Sequence, residues 1–153
     1  MENIVPSWPG IHREKPRIVF TSHDVPFTLR DQTLQGEWLM NAIEEEGYDL
    51  ERIDFIFCSD EYLHEINKTY LGHDEYTDII TFPLEDNPIV GEIYISTERV
   101  KENAASFGTS FDNELHRVMI HGVLHLCGYD DHEEDDIEDI RRKEEMYLSK
   151  FKI

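Results

Sequence analysis

The sequence predicts one domain in which helices pack on a sheet, an α+β or α/β sandwich. Three observations lead there. Short segments rich in β-branched and aromatic residues are interspersed with segments of helical periodicity. The chain of 153 residues has the length of one domain, and no repeat, low-complexity tract or linker divides it. An apolar fraction of 39%, with 11% aromatics, is enough to bury a core despite the charge. Hairpin and crossover links between strands both fit the pattern.

Each element follows in chain order. The first ten to twelve residues, with Pro6 and Pro9, read as an irregular arm. Arg17 to Ser22 has strand composition, and Thr33 to Glu46 places Leu34, Trp38, Leu39 and Ile43 at helical spacing before Gly47. Ile53 to Ser59 is an almost continuous apolar run, as expected of a strand covered on both faces, and Asp60 is expected to cap a helix reaching about Tyr70. A strand from Asp78 to Phe82 should stop at Pro83, with a loop to Val90. Gly91 to Ser96 alternates, with Ile93 and Ile95 on one face and Glu92, Tyr94 and Ser96 on the other. Helices are expected from Thr97 to Phe107, from Ser110 to Cys127, and from about Asp135 to Phe151.

Charge narrows the function classes. With 34 Asp and Glu against 14 Lys and Arg the net charge is -20, which opposes nonspecific nucleic-acid binding and polybasic membrane attachment. Two cysteines, Cys58 and Cys127, make no disulfide framework and fit reduced thiols in the cytoplasm. The start, Met1 to Pro6, lacks the pattern of a signal peptide, and no apolar run approaches the ~18 residues of a membrane helix.

The stretch from His121 to His132, HGVLHLCGYDDH, carries the chemistry. Leu115, Val118, Met119, Gly122, Val123 and Leu126 form the core-facing stripe of its helix. His121 and His125, four apart, lie on another face, where two imidazoles one turn apart can close on one metal ion. Gly128 ends the helix, and the returning chain can bring a third ligand from Asp131 or His132. Three protein ligands leave a position open, as in catalytic zinc sites. Histidines four apart are common on ordinary helices, and the glycine and the ligand-type residues that follow are what favour a metal here. Cys127 reads as a small buried hydrophobe. His12, His23, His64, His73 and His116 have nothing that places them beside the motif, and Trp8 and Trp38 read as arm and core.

HGVLHLCGYDDH resembles the HGxLHLxGxDH signature of the YbeY family of bacterial metal-dependent endoribonucleases, which act in rRNA maturation and ribosome quality control. Two further blocks are similar to that family: Asn67 to Tyr70 followed by Tyr76 to Pro83, and Gly91 to Ser96. The resemblance implies a compact α+β fold with a small mixed sheet, one zinc ion held by His121, His125 and a third ligand, and cleavage of single-stranded RNA on or near the ribosome. Two positions depart from the signature. Asp131 stands where the third histidine falls, so register favours Asp131, whereas His132 could replace it if the loop relaxes by one residue. Leu71 stands where the family tends to carry an arginine, so phosphate charge would fall to Lys68, to Arg117 or to the ion. Arg117 shares the face of His121 and His125, and its alternative is an ordinary salt bridge.

Glu92, Asp78 and Asp130 are candidate bases whose alternatives are structural. Two rival readings accompany the nuclease. A zinc metallopeptidase would share the two histidines but normally carries Glu directly after the first, where this chain has Gly122. A noncatalytic metal protein could use the acidic surface against basic ribosomal proteins. Eight acids between Asp130 and Asp139 account for much of the charge, part of it at a helix start and the rest a solvated face.

Overall fold

The computed structural model describes residues 15–151, which excludes the expected arm together with Trp8 and His12. Its four strands are β1 (Arg17–Ser22), β2 (Leu50–Cys58), β3 (Ile79–Asp86) and β4 (Ile89–Ser96). They form one sheet in the order β1-β2-β4-β3, with β1, β2 and β4 parallel and β3 antiparallel to β4. Crossover and hairpin links are thus both used, and the α+β class with a small mixed sheet is observed. The helices are α1 (Gln32–Glu45), α2 (Asp60–Leu71), α3 (Thr97–Phe107), α4 (Phe111–Leu126) and α5 (Glu134–Ser149).

The strand pleat divides the sheet into unequal faces. Ile53, Phe55 and Phe57 of β2 and Ile93 and Ile95 of β4 join α1, α4 and α5 in the main core. Cys58, Ile80, Phe82 and Tyr94 turn the other way and meet Leu63, Ile66 and Tyr62 of α2 in a smaller cluster. The expectation that Ile53 to Ser59 is covered on both faces holds at Cys58, which is buried, and in part at Asp54 and Ile56, which are half-buried on that second face.

Three boundaries differ from expectation for local reasons. Ser59, not Asp60, caps α2, its Oγ accepting the Tyr62 N–H at 3.1 Å while Asp60 is the first helical residue. Ser96 and Ser110 cap α3 and α4 in the same way. Pro83 does not stop β3, because β3 is the sheet edge, where a missing N–H is tolerated; the strand runs to Asp86 with a register shift between Pro83 and Glu85. The loop expected up to Val90 is a tight hairpin, with β4 already begun at Ile89.

Gly122 fixes how closely α4 sits on the sheet. A Cβ there would lie 3.0 Å from Ile79 Cδ1 and from Ile93 Cδ1, so a larger residue would require those side chains or the helix to shift. Leu126 makes the complementary approach to Gly91, where an added Cβ would meet it at 2.9 Å. The histidine-bearing helix is thereby seated directly over β3 and β4.

Candidate metal centre

The close seating of α4 turns His121 and His125 out along one edge of the helix, each about one quarter exposed. Their Nδ1 atoms are engaged. His121 Nδ1 lies 2.6 Å from Glu144 Oε2 of α5, and His125 Nδ1 lies 2.8 Å from the Tyr129 carbonyl oxygen. A carboxylate and a carbonyl only accept, so each Nδ1 is the donor and each Nε2 of a neutral ring is left with its lone pair. The two Nε2 atoms face one another at 2.9 Å. Asp131 Oδ2 approaches them at 3.5 and 3.4 Å.

With both rings neutral, three lone-pair atoms converge with no donor among them, and the ligand atoms all lie within 4.8 Å of one another. Such a set repels itself unless a cation sits between its members. The donor chemistry, two imidazole nitrogens and a carboxylate oxygen with outer hydrogen bonds fixing both rings, fits a metal ion.

The turn that delivers Asp131 is built locally. Gly128 has φ +96°, a left-handed backbone that resists a Cβ, and one added there would also approach Tyr48 Oη at 3.2 Å. Tyr129 is then held at both ends. Its carbonyl accepts from His125, and its hydroxyl donates to Glu46 Oε1 at 2.9 Å, at the end of α1. Glu46 also accepts from the Tyr147 hydroxyl and from Lys143 Nζ, the latter at 3.2 Å. Burial raises the Glu46 carboxyl, but these donated hydrogen bonds and the Lys143 charge outweigh it and leave it below the usual glutamate range.

Of the residues singled out from sequence, His121, His125 and Asp131 come together. His132 does not: its side chain is 80% exposed and lies 3.8 Å from Asp130, outside the cluster. Arg117 is an ion-pair residue, 3.0 Å from Glu144 and 3.5 Å from Glu114, both buried. Glu92 is carried by the β4 alternation to the sheet face away from α4, where the Tyr94 hydroxyl donates to it at 3.2 Å. Lys68 is exposed on α2 and does not line the cleft described next. Asp78 sits half-buried beside the cluster, its carboxyl raised by burial, which outweighs a backbone hydrogen bond and the Asn103 side chain. Cys127 is buried, its thiol pushed up to about 12 mainly by desolvation.

An open cleft of about 800 Å³ lies before the cluster, between α2, β3 and the α4–α5 turn. Asp78, Asp130, Leu71 and Tyr76 line it. So does His73, with no contact to the cluster among the described residues.

Two contributors escaped the sequence reading. Glu144 was submerged in an acidic helix, although it continues the spacing of Ile137, Ile140 and Tyr147 and so falls on the apolar stripe, the one available signal of a buried acid. Glu46 carried no comparable mark.

Fold and site together define a class: α+β proteins able to hold one metal ion on a His-x3-His helix and the turn after it. The family model described as Endoribonuclease YbeY matches residues 19–152. The chain is 51% identical over 141 residues to Endoribonuclease YbeY of Christiangramia forsetii, covering 92% of this chain and 98% of that one. It is 44% identical to the protein of the same name from Amoebophilus asiaticus, over 88% of this chain and 92% of the other. A solution structure of a Thermotoga maritima protein matches with a TM-score of 0.63 at 31% identity, covering 88% of each chain. The chain belongs to the YbeY endoribonuclease family.

Proposed function

We propose that this chain is a zinc-dependent, single-strand-specific endoribonuclease that acts in the cytoplasm on rRNA, in 16S rRNA 3′-end maturation and ribosome quality control. The observation that carries the reading is the convergence of His121 Nε2, His125 Nε2 and Asp131 Oδ2 without a donor among them. Ligands at about 2.0–2.1 Å around a tetrahedral zinc stand roughly 3.3 Å apart, near the 2.9 to 3.5 Å separations of this trio. His121, His125 and Asp131 would hold the ion, with Glu144 and the Tyr129 carbonyl fixing the two rings. When bound, zinc supplies Lewis-acid polarisation of a phosphoryl oxygen and a more acidic water.

The protein's own residues shape the rest. Leu71, 44% exposed at the rim of the cleft, offers apolar surface to unstacked bases, which a paired duplex does not present, while the Tyr76 ring beside it is stacked on His64 at 4.2 Å. Asp78 and Asp130 line the cleft and remain the candidate proton acceptors, whereas Glu92 does not reach it. No helix among the described residues is long and apolar enough to cross a membrane, and both cysteines are free and buried, as suits a reducing compartment. The acidic surface is suited to basic ribosomal proteins, with the ribosome delivering the RNA.

The peptidase alternative is weakened by position as well as composition. Residue 122 faces Ile79 and Ile93, so a glutamate there would be driven into the sheet. Offering zinc-loaded protein both casein and single-stranded RNA separates the two: RNA is cut and casein is not, and the reverse result overturns the nuclease. His121→Ala should lose metal and RNA cleavage together, whereas surviving cleavage would make the site noncatalytic. A 2′,3′-cyclic phosphate on the product would exclude direct attack by water.

A further inference from the structure

A nuclease cleft needs a cation for the RNA backbone, and the obvious ones are committed or misplaced. Leu71 offers no charge, and Arg117 is spent between Glu114 and Glu144. Lys68 lies outside the cleft. A second cavity, of about 320 Å³, opens on the opposite side of the metal cluster, between α3 and α5. It shares Asp78, His121 and Asp131 with the first, so the two meet at the cluster and one strand can cross both.

Arg141 lines this second cavity. It stands one turn before Glu144 on the α5 face that carries Glu144 to His121. Neighbouring Arg142 pairs with Asp139 at 3.0 Å, and Lys143 with Glu46 at 3.2 Å, whereas Arg141 makes no ion pair or side-chain hydrogen bond among the described residues. An arginine left unpaired in a chain of 34 acids, at the mouth of a cavity containing two of the converging ligands, has its donors available. The acids deeper in this cavity have partners of their own: Glu114 and Glu144 share Arg117, and Asp78 accepts from Asn103 at 3.4 Å. Phe107, 61% exposed at the same cavity, adds a ring face beside that charge.

We propose that Arg141 binds the backbone phosphate adjoining the scissile one, making the α3–α5 cavity a nucleotide subsite of the RNA. The inference rests on the nuclease reading and extends it to a substrate-binding residue on α5. The test uses the full chain loaded with zinc and a fluorescent single-stranded RNA oligonucleotide, comparing wild type, Arg141→Ala, Arg141→Lys and Arg142→Ala. Arg141→Ala should raise KM about tenfold with little change in kcat or zinc content. Its log–log salt dependence of kcat/KM should become shallower by about 0.7, one phosphate contact on a single strand. Arg141→Lys should restore the salt slope, and Arg142→Ala should match wild type. Wild-type KM and slope in Arg141→Ala overturn the inference alone, and so does an equal loss in Arg142→Ala, which would mark a general field effect. Wild-type protein that binds zinc but neither binds nor cuts the RNA overturns the nuclease reading and this inference with it.

Discussion

His121 and His125 stand one turn apart on α4, yet two different regions of the molecule hold them. His121 leans on a buried carboxylate in the middle of α5, and Glu144 is itself tied to Arg117. His125 leans on a backbone carbonyl in the α4–α5 turn, and that turn is fixed through the Tyr129 hydroxyl to Glu46 of α1. The first support is a side chain inside the core, so removing it damages packing, charge balance and ligand together. The second is main chain, so substitution reaches it only through the residue that pins it. The difference teaches that a symmetric pair of ligands can have unequal sensitivity to mutation.

The contrast is broken most severely by Glu144→Ala. It removes the acceptor of His121 Nδ1 and one of the two carboxylates paired with Arg117, and should cost about 1.5–3 kcal/mol of stability. Zinc affinity should fall roughly 10–100-fold, measured by chelator competition. Between the two histidines, Gly122→Ala pushes a methyl against Ile79 and Ile93 and should cost about 1–3 kcal/mol in urea unfolding, with both ring supports intact.

The α1 side should respond more mildly. Glu46→Gln should cost about 1–2 kcal/mol at neutral pH. Because the folded state holds the Glu46 carboxyl below its ordinary range, its contribution is complete above that range and is lost as pH falls through it to the lower folded value. The stability gap between wild type and Glu46→Gln should therefore shrink on acidification, and a constant gap would contradict the assignment. Smallest is Tyr129→Phe, which keeps the carbonyl and loses only the hydroxyl. It should cost about 1 kcal/mol and weaken zinc by less than about tenfold. An effect as large as that of Glu144→Ala would erase the distinction between the two supports.

Much of this was legible before any coordinates. Periodicity located the five helices, and the His-x3-His spacing with a helix-ending glycine located the paired imidazoles. What escaped was set by tertiary context. Pro83 reads as a strand stop until β3 is known to be an edge, and Ser59 and Asp60 are both good caps until the backbone selects one. The choice between Asp131 and His132 depended on which way the turn points after Gly128, which no spacing rule encodes. Arg117 was correctly placed on the histidine face, but α5 had to be docked before its glutamate partners were visible. The acidic run at the start of α5 resolves likewise, with Glu134, Asp135 and Asp136 in a helical first turn and Asp131 at the cluster. The charge of -20 thus opposes indiscriminate RNA binding while leaving room for a cleft that meets RNA at a few points.

We propose that His121, His125 and Asp131 hold one zinc ion on which RNA cleavage depends. Metal analysis of full-length protein purified without chelator or affinity histidines, paired with single-stranded RNA cleavage before and after zinc removal and re-addition, tests it most directly. One zinc per chain, loss of cleavage on removal and recovery on re-addition are the expected results. Cleavage that persists undiminished in metal-free protein, or stoichiometric zinc retained by a His121→Ala, His125→Ala double variant, would contradict it.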